Sequence, residues 1–575
     1  MIRLYRFLRP FRAAIAAILV LVLLQSLSNL YLPTLTADIV DKGIVHKDIT
    51  YILRVGAVML LIAAGGMICS IAASFLSSTT AVGFGRIVRS QIFMRVESFS
   101  LHEFDQFGTA TLITRTTNDV TQVQLVTVII LRMMLSAPLM IIGGLIMALL
   151  QDRPLTLVLA VSVPILVLAI VLILRRALPL FQLMQVKLDR VNLVLREGLT
   201  GMRVIRAFDR IDHEQRRFEQ ANADLTNNAI QVNRIMAVMM PVLMLVMNAT
   251  SVAIIWFGAL RIDSGGMQVG SLIAFVQYAM QIMFAVIMVS MMFVMVPRAA
   301  ASANRINEVL DMAPDITDAA QVTRAGGARG FVAFEHVTFR YPGAEQPALS
   351  DISFRAQPGE VTAIIGGTGS GKSTLVNLIP RFYDVASGRI LVDGVDVRAL
   401  AQADLRARIG FVPQKTALFS GTIADNIRYG KDDATEQEVA HAAETAQATE
   451  FISGMAQGVG SWIAQGGTNV SGGQKQRLAI ARALVRRPDV YIFDDSFSAL
   501  DFKTDARLRA ALKRDTAAAT VLLVAQRVAT VMEADRIIVL DEGQMVGMGT
   551  HRELMASCTV YREIVASQLS EEEIA

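Results

Sequence analysis

The stretch EVTAIIGGTGSGKSTLVNLIP, residues 360–380, decides the fold of the C-terminal half of the chain. It consists of an apolar run, a glycine-rich loop and a helical pattern, in that order. The segment Gly366–Ser373 fits the pattern G-x-x-x-x-G-K-[ST], in which glycines let backbone N–H groups close around phosphates. In such a loop Lys372 reaches the β- and γ-phosphates and Ser373 ligates Mg²⁺. The stretch therefore predicts an α/β domain that binds a nucleoside triphosphate.

Two other segments complete the predicted site. Tyr341, in a strand pattern ahead of the loop, is placed to stack on adenine. Asp494 and Asp495 end the apolar run 489–495, where the first acid would hold Mg²⁺ through water and the second would polarise the attacking water. The predicted phosphate-binding residues are Gly366, Gly367, Thr368, Gly369, Ser370, Gly371, Lys372, Ser373 and Thr374.

A second anion site is predicted in NVSGGQKQRLAIARALVRRP, residues 469–488. Its residues are Ser471, Gly472, Gly473 and Gln474, at the start of a basic amphipathic helix whose free N–H groups attract anions. The alternative is a plain serine N-cap. A single γ-phosphate needs only one glycine loop, so two anion sites in one domain imply that two such domains meet face to face.

The N-terminal half has the composition of a membrane protein. Hydrophobic residues make up 53% of the 575-residue chain, well above the soluble average. Six apolar runs are long enough to cross a bilayer: 13–32, 55–79, 127–150, 154–174, 235–260 and 268–296. The predicted domains are a six-helix transmembrane domain over 1–311, a polar linker over 312–330 and the nucleotide-binding domain over 331–575.

Charge sets the predicted orientation. Arginines precede the first run and recur in the two long connections, 80–126 and 175–234, which indicates that these parts face the cytoplasm. We therefore expect a multi-pass protein of the cytoplasmic membrane with both termini and the nucleotide-binding domain inside. The net charge of +4 is dispersed along the chain, so we expect no nucleic-acid partner.

The two connections have a helical pattern and extend the spanning helices into the cytoplasm. Each contains a glycine break followed by an amphipathic turn: FGTATLITRTTNDV at 107–120 and REGLTGMRVIRAFDRIDHEQRRF at 196–218. We interpret these as transverse docking helices. The alternative is a pair of solvated helical hairpins.

With these motifs the chain resembles the ATP-binding cassette (ABC) exporters of the multidrug and lipid subfamily over nearly its whole length. The resemblance rests on Gly366–Thr374, on Gln414 in FVPQKTALFSGTIADNI, and on VSGGQ, YIFDD and SALD at 470–474, 491–495 and 498–501. It implies a dimer that holds two ATP molecules with Mg²⁺, each between one chain's phosphate loop and the other chain's signature. It also implies a catalytic and metal-binding role for Gln414.

The chain departs from the family pattern at three positions. It carries Asp495 and Gln526 where the family has Glu and His, and Gln465 where the family usually has Glu. The groups that bind ATP are present, whereas the two that promote hydrolysis are altered. We therefore expect weak hydrolysis at this chain's own site and interpret the chain as the degenerate-site half of a heterodimeric, ATP-hydrolysing exporter.

Alternative interpretations are a homodimeric exporter, an exporter-fold importer of a metal chelate, and an ATP-gated regulatory or channel module. The spans carry little charge apart from Arg132, which favours a small amphipathic or apolar organic substrate over a small ion.

Overall fold

The computed structural model describes residues 1–319 and 329–568, without the side chains of residues 291, 293 and 294. The chain packs as two compact units. The first comprises Met1–Glu97 and Thr109–Met312, and it ends beside the predicted boundary at 311. The second comprises Ser98–Gly108 and the described residues from Ala313 onward. Part of the predicted linker, residues 320–328, lies outside the described residues.

The first unit is entirely helical. Its main helices are α1 Arg12–Asp38, α2 Ile49–Glu97, α4 Thr109–Thr114, α5 Val120–Gln151, α6 Thr156–Thr200, α7 Met202–Ala207, α8 Ile211–Asp263 and α9 Val269–Asp311, while α3 Leu101–Phe107 belongs to the second unit. Short 3₁₀ or π segments continue these helices. Leu4–Phe11 precedes α1, Ile39–Ile44 follows it, and Arg115–Asp119 connects α4 to α5.

The predicted spans are confirmed as six long apolar helical stretches: Leu4–Ile44, Ile49–Glu97, Thr109–Gln151, Thr156–Thr200, Ile211–Asp263 and Val269–Asp311. Each is far longer than the roughly 20 residues that a bilayer core requires. The surplus length in α2, α6 and α8 forms the helical extensions that the two polar connections predict. Many large apolar side chains along these helices are exposed, as a lipid-facing surface requires, for example Leu60 and Leu245.

The second unit is an α/β domain with a four-stranded antiparallel sheet and a six-stranded sheet. Its strands are β1 Val332–Phe339, β2 Leu349–Ala356, β3 Val361–Gly366, β4 Ser387–Val392, β5 Val395–Asp396, β6 Ile409–Val412, β7 Gly421–Thr422, β8 Trp462–Ile463, β9 Val490–Asp494, β10 Thr520–Val524, β11 Arg536–Asp541 and β12 Gln544–Gly549. Its remaining α-helices are α10 Lys372–Leu378, α11 Gln402–Ala407, α12 Ile423–Arg428, α13 Glu436–Thr445, α14 Thr449–Ser453, α15 Gly472–Leu484, α16 Phe502–Asp515, α17 Val528–Val531, α18 His551–Ser557 and α19 Thr559–Ala566.

The six-stranded sheet positions the site. Its order is β12-β11-β3-β10-β9-β6, and every neighbouring pair except β11 with β12 is parallel. Val524 pairs with both Ile364 and Asp494. The carboxyl ends of β3, β9 and β10 therefore meet at one edge, which is where open parallel sheets bind their ligands.

The predicted domain assignment placed Ser98–Gly108 in the membrane domain, whereas this segment packs with the second unit. Ser100 and Glu103 form a capping box at the start of α3, and the Ser100 N–H donates to Glu103 Oε2 at 2.6 Å. The other oxygen, Glu103 Oε1, accepts from the Asp315 N–H at 3.0 Å. Burial raises the pKa of Glu103, but these hydrogen bonds outweigh it and the net pKa is lowered. A buried carboxylate thus ties α3 to the start of the second unit.

The first predicted docking stretch, 107–120, overlaps this segment only at Phe107 and Gly108. Gly108 has a φ of +72°, which interrupts the helix, and the rest of the stretch packs in the first unit. In the second connection, α7 is short and the apolar side chains of Val204 and Phe208 are 60% and 74% exposed. Its docking role stays a prediction.

Candidate nucleotide-binding site

The phosphate loop joins the end of β3 to the start of α10. Gly369 and Gly371 have φ values of +86° and +95°, a left-handed conformation that glycine adopts without steric cost. A Cβ added at Gly366 would collide with the backbone carbonyl oxygen of Leu540 on the neighbouring strand, so the strand end must be glycine. At Gly367 and Gly369 an added Cβ would meet nothing within 4 Å, which leaves open space over the loop for phosphate oxygens.

Lys372 folds back over this loop. Its Nζ donates to the carbonyl oxygens of Gly366 at 2.9 Å and Gly367 at 2.6 Å. Burial lowers the pKa of Lys372, and the nearby carboxylates of Asp495 and Asp494 oppose that shift. The Lys372 ammonium therefore lies at the cavity over the loop, where a phosphate would bind it more strongly than the two carbonyl oxygens do.

The predicted metal-binding pair is in contact. Ser373 Oγ donates to Asp494 Oδ1 at 2.9 Å, and burial raises the pKa of Asp494. A hydroxyl and a carboxylate oxygen suit Mg²⁺, which takes few protein ligands and keeps several waters. Ser373 and Asp494 therefore fit the ion. In this structure the Gln414 side-chain nitrogen points at Asp495, and the predicted role of Gln414 as a metal ligand stays a prediction.

Two of the three departures from the family pattern, Asp495 and Gln526, contact each other. Asp495 Oδ2 accepts hydrogen bonds from Gln526 Nε2 at 2.9 Å and from Gln414 Nε2 at 3.1 Å. Asp495 is buried and has a φ of +48°, just past the end of β9. The sequence singled out all three residues but did not indicate that two amides converge on one carboxylate oxygen. We call this arrangement of Gln414, Asp495 and Gln526 the amide clamp.

Tyr341 is fixed at the other side of the site. Its hydroxyl lies 3.0 Å from Thr374 Oγ1, and its ring makes edge contacts with Phe339 at 4.8 Å and Tyr383 at 5.4 Å between centroids. These contacts hold the ring in one orientation. Tyr383 was not predicted, because nothing in its sequence neighbourhood indicates a nucleotide contact.

These residues surround a cavity of about 310 Å³. It is lined by Tyr341, Ala348, Thr368, Gly369, Gly371, Lys372, Ser373, Thr374, Gln414, Asp494, Asp495, Val524 and Gln526. The structure thus brings together residues from the ends of β3, β9 and β10 and from the loop that carries Gln414. Gly366, Gly367 and Ser370 shape the loop without lining the cavity.

The second predicted anion site lies elsewhere in the domain. Ser471 is the N-cap of α15 and forms a capping box with Gln474, whose N–H donates to Ser471 Oγ at 3.3 Å. Ser471 and Gly472 are exposed, and Gly473 packs beside the Ala499 carbonyl. Ser471 thus performs the N-cap function that was the alternative prediction. None of the residues 471–474 lines the nucleotide cavity.

Comparison with known proteins agrees with this architecture. The family model "ABC transporter transmembrane region" matches residues 15–286, and the model "ABC transporter" matches residues 349–498. An uncharacterised ABC transporter ATP-binding protein of Mycobacterium tuberculosis is 48% identical over 565 residues, covering 98% of this chain and 97% of that protein. The ATP-dependent lipid A-core flippase of Chromobacterium violaceum is 32% identical over 544 residues, covering 93% and 92%.

A solved structure of a bacterial Atm1-family ABC exporter with ATP bound is also similar. It has a TM-score of 0.82 at 25% identity and covers 97% of this chain and 99% of that chain. The chain therefore belongs to the ABC transporters, with the exporter architecture in which a membrane region and an ATP-binding cassette are fused. It is a multi-pass membrane protein whose cassette implies ATP hydrolysis with Mg²⁺, and exporters of this architecture act as dimers.

Proposed function

We propose that this chain is the degenerate-site half of a heterodimeric ABC exporter, with its termini and cassette in the cytoplasm. Its substrate is an amphipathic or apolar organic molecule. The observation that carries the proposal is the amide clamp on Asp495, together with the exposed start of α15, which contains the family's VSGGQ signature and is called the signature helix below. This combination suits a chain that holds ATP at its own phosphate loop and completes a faster site on its partner.

Hydrolysis at the chain's own site is limited by the short side chain of Asp495, which extends less far toward the attacking water than a glutamate would. ATP bound there supplies a γ-phosphoryl group for transfer to water. Asp495 is one methylene shorter than Glu, which costs about 1.5 Å of reach, and a misplacement of about 1 Å can lower a rate roughly a hundredfold. The oxygen Asp495 Oδ2 is also engaged by two amide donors.

Gln526 adds a second limitation. A glutamine side chain can donate a hydrogen bond to phosphate or carboxylate, but it does not titrate near neutral pH as histidine does. In this structure Gln526 donates to Asp495 instead. The residues of this site are therefore suited to bind and orient ATP, while none of Asp495, Gln414 and Gln526 is suited to move a proton quickly.

The exposed start of α15 supports the role of a partner. Backbone N–H groups at a helix start attract phosphate, and although the Ser471 N–H donates to Gln474 Oε1 at 2.8 Å, the exposed Gly472 and the Ser471 hydroxyl lie outside the nucleotide cavity of their own chain. A second half-transporter would bring its phosphate loop to them. If that partner carries Glu and His at the corresponding positions, the shared site has every group that fast hydrolysis requires.

The membrane helices support an amphipathic substrate. A groove of about 560 Å³ is lined by the apolar side chains of Val167, Val171 and Leu178, together with Arg175 and Ser290. Apolar walls with one cation suit a molecule that has a long apolar part and a polar or anionic head. The related flippase of Chromobacterium violaceum is named for lipid A-core, which is consistent with a substrate of this class.

Purification of this chain with and without its partner tests the proposal. The chain is tagged at its natural expression level, and any half-transporter that co-purifies is identified. We expect little Mg²⁺-dependent ATPase activity from the chain alone and an increase of about tenfold or more in the complex. A homodimer would instead show full turnover alone, and that result, with contaminating ATPases excluded, would overturn the proposal.

A further inference from the structure

A second cavity, of about 330 Å³, lies in the cassette on the sheet face that α16 and α17 cover. Apolar side chains of three strands form its floor: Val361, Phe493, Val521 and Leu523. None of its lining residues lines the nucleotide cavity. Protein interiors rarely leave voids larger than a water molecule, and this volume is in the range of small-molecule sites, about 300–1,000 Å³.

The cavity lies between two apolar cores of the cassette. One core includes Leu508 and Leu512 of α16, and the other includes Val528 and Val531 of α17. Val361 packs against both cores and is only partly buried. The cavity between the two helices therefore has an apolar floor, in which Phe493, Val521 and Leu523 are buried and Val361 is partly buried.

Arg509 is the polar group that crosses this gap. From α16 its Nη1 donates to the carbonyl of Ala529, a residue of α17, at 3.3 Å. Its Nε forms an ion pair with Asp505 Oδ2 at 3.3 Å, but this buried nitrogen makes no aligned hydrogen bond to any described residue. Buried polar atoms are nearly always hydrogen-bonded, so an acceptor in the cavity, either water or a ligand, would complete the bonding of this donor.

We propose that this cavity binds a small amphipathic carboxylate. The apolar body of the ligand covers the floor, and its carboxylate pairs with Arg509 and Lys513, the two cations that line the cavity. The planar guanidinium donates to carboxylates in a bidentate geometry that few other side chains match. Glu533 lies 4.0 Å from Arg509 but is 81% exposed, so a bound carboxylate displaces a weak contact.

The position of the cavity gives the ligand a route to the nucleotide site. α16 begins directly after the SALD segment, residues 498–501, and α17 begins two residues after Gln526. Arg527 Nη2 also donates to the Ser498 carbonyl at 3.1 Å. A ligand that contacts both helices therefore lies between two segments that border ATP chemistry.

The test uses the full chain in lipid nanodiscs, with 4-(trifluoromethyl)phenylacetate as the probe and ¹⁹F NMR as the readout. We expect saturable binding by the unmodified chain, and binding weaker by about tenfold or more for the matched neutral amide and for Arg509→Gln. Ala510→Phe, which fills the cavity from α16, should abolish binding. Arg514→Gln, on the same helix but outside this cavity, is the matched control.

A fluorescent ATP analogue confirms that each variant retains a folded cassette. If Ala510→Phe does not fold, Ala506→Leu, also in the lining, replaces it. Equal binding to the cavity-filling variant would place the probe in the bilayer or elsewhere, and equal binding of the amide would mean that the cavity does not select carboxylates. Either result would overturn the proposal.

Discussion

The phosphate loop and the signature helix of this cassette differ in how many of their functional groups have partners within the chain. Around the phosphate loop, Lys372, Ser373 and Asp495 all have partners within the chain and line one cavity. At the signature helix, Ser471 and Gly472 are exposed, and their only described polar contacts are those of a helix cap. The phosphate loop has its partners within the chain, but its acid is the short Asp495. The start of α15 does not line the nucleotide cavity of its own chain, so it would bind the phosphate of a nucleotide held by a partner. Damage to the two regions should therefore have unequal effects.

The largest effect is expected from Ser471→Arg in the assembled complex. The longer side chain would lie against the γ-phosphate of the faster site, where one contact to the transition state is worth about 3 to 4 kcal/mol. We expect steady-state ATPase activity to fall by roughly a hundred- to a thousandfold. ATP should remain bound at the site that contains Lys372. Ser557→Arg, an exposed serine at the end of α18, is the matched control and should change little.

Lys372→Met should weaken ATP binding at this chain's own site. The substitution keeps most of the side-chain length but removes the ammonium, and a hydrogen bond to a charged group is worth about 1.5 to 3 kcal/mol. We expect the dissociation constant for ATP of the lone chain to rise by roughly ten- to a hundredfold, measured by equilibrium titration. Unchanged affinity would mean that ATP binding does not use the phosphate loop as described.

Restoring Glu and His at positions 495 and 526 should raise hydrolysis at this chain's own site. The double substitution Asp495→Glu with Gln526→His returns both the longer carboxylate and the titratable group, and it replaces one amide of the amide clamp by an imidazole. We expect Mg²⁺-dependent turnover of the lone chain to increase by about tenfold or more. Each single substitution should give less than the pair, and an inactive double variant that still binds ATP would show that another part of the site limits hydrolysis.

The smallest effect is expected from Asp495→Asn in the complex. Asparagine keeps an acceptor oxygen for Gln414 and Gln526, and the altered site is already slow. We expect the steady-state ATPase activity to change by less than about twofold, since a surviving faster site carries most of the turnover. If Asp495→Asn were instead more damaging than Ser471→Arg in intact complexes, Asp495 would be the principal water-polarising residue and the degenerate-site proposal would be wrong.

The sequence predicts the phosphate loop well because its requirements are local. A strand, glycines at positions of positive φ, and Lys and Ser at the start of a helix are all contained in the segment Gly366–Ser373. The six membrane helices are predictable for a similar reason, since length and apolarity alone determine them.

Contacts between distant segments are less accessible to sequence analysis. The amide clamp depends on the parallel pairing of Asp494 with Val524, which places Asp495 and Gln526 beside each other just beyond two neighbouring strand ends. Strand order and register decide that proximity, and the spacing of the residues along the chain does not reveal it. Similarly, the Ser100–Glu103 spacing indicates a capping box, but it does not show that Glu103 also binds the Asp315 N–H.

The segment Ser98–Gly108 has a consequence for the biosynthesis of the protein. It leaves the ribosome long before the cassette with which it packs, so Glu103 has no Asp315 to bind while the later membrane helices are still being made. The segment therefore has no cassette to pack against until the C-terminal half has been translated. A cassette expressed from residue 313 onward would lack this early piece, and we expect it to be less soluble than one supplied with the peptide 98–108.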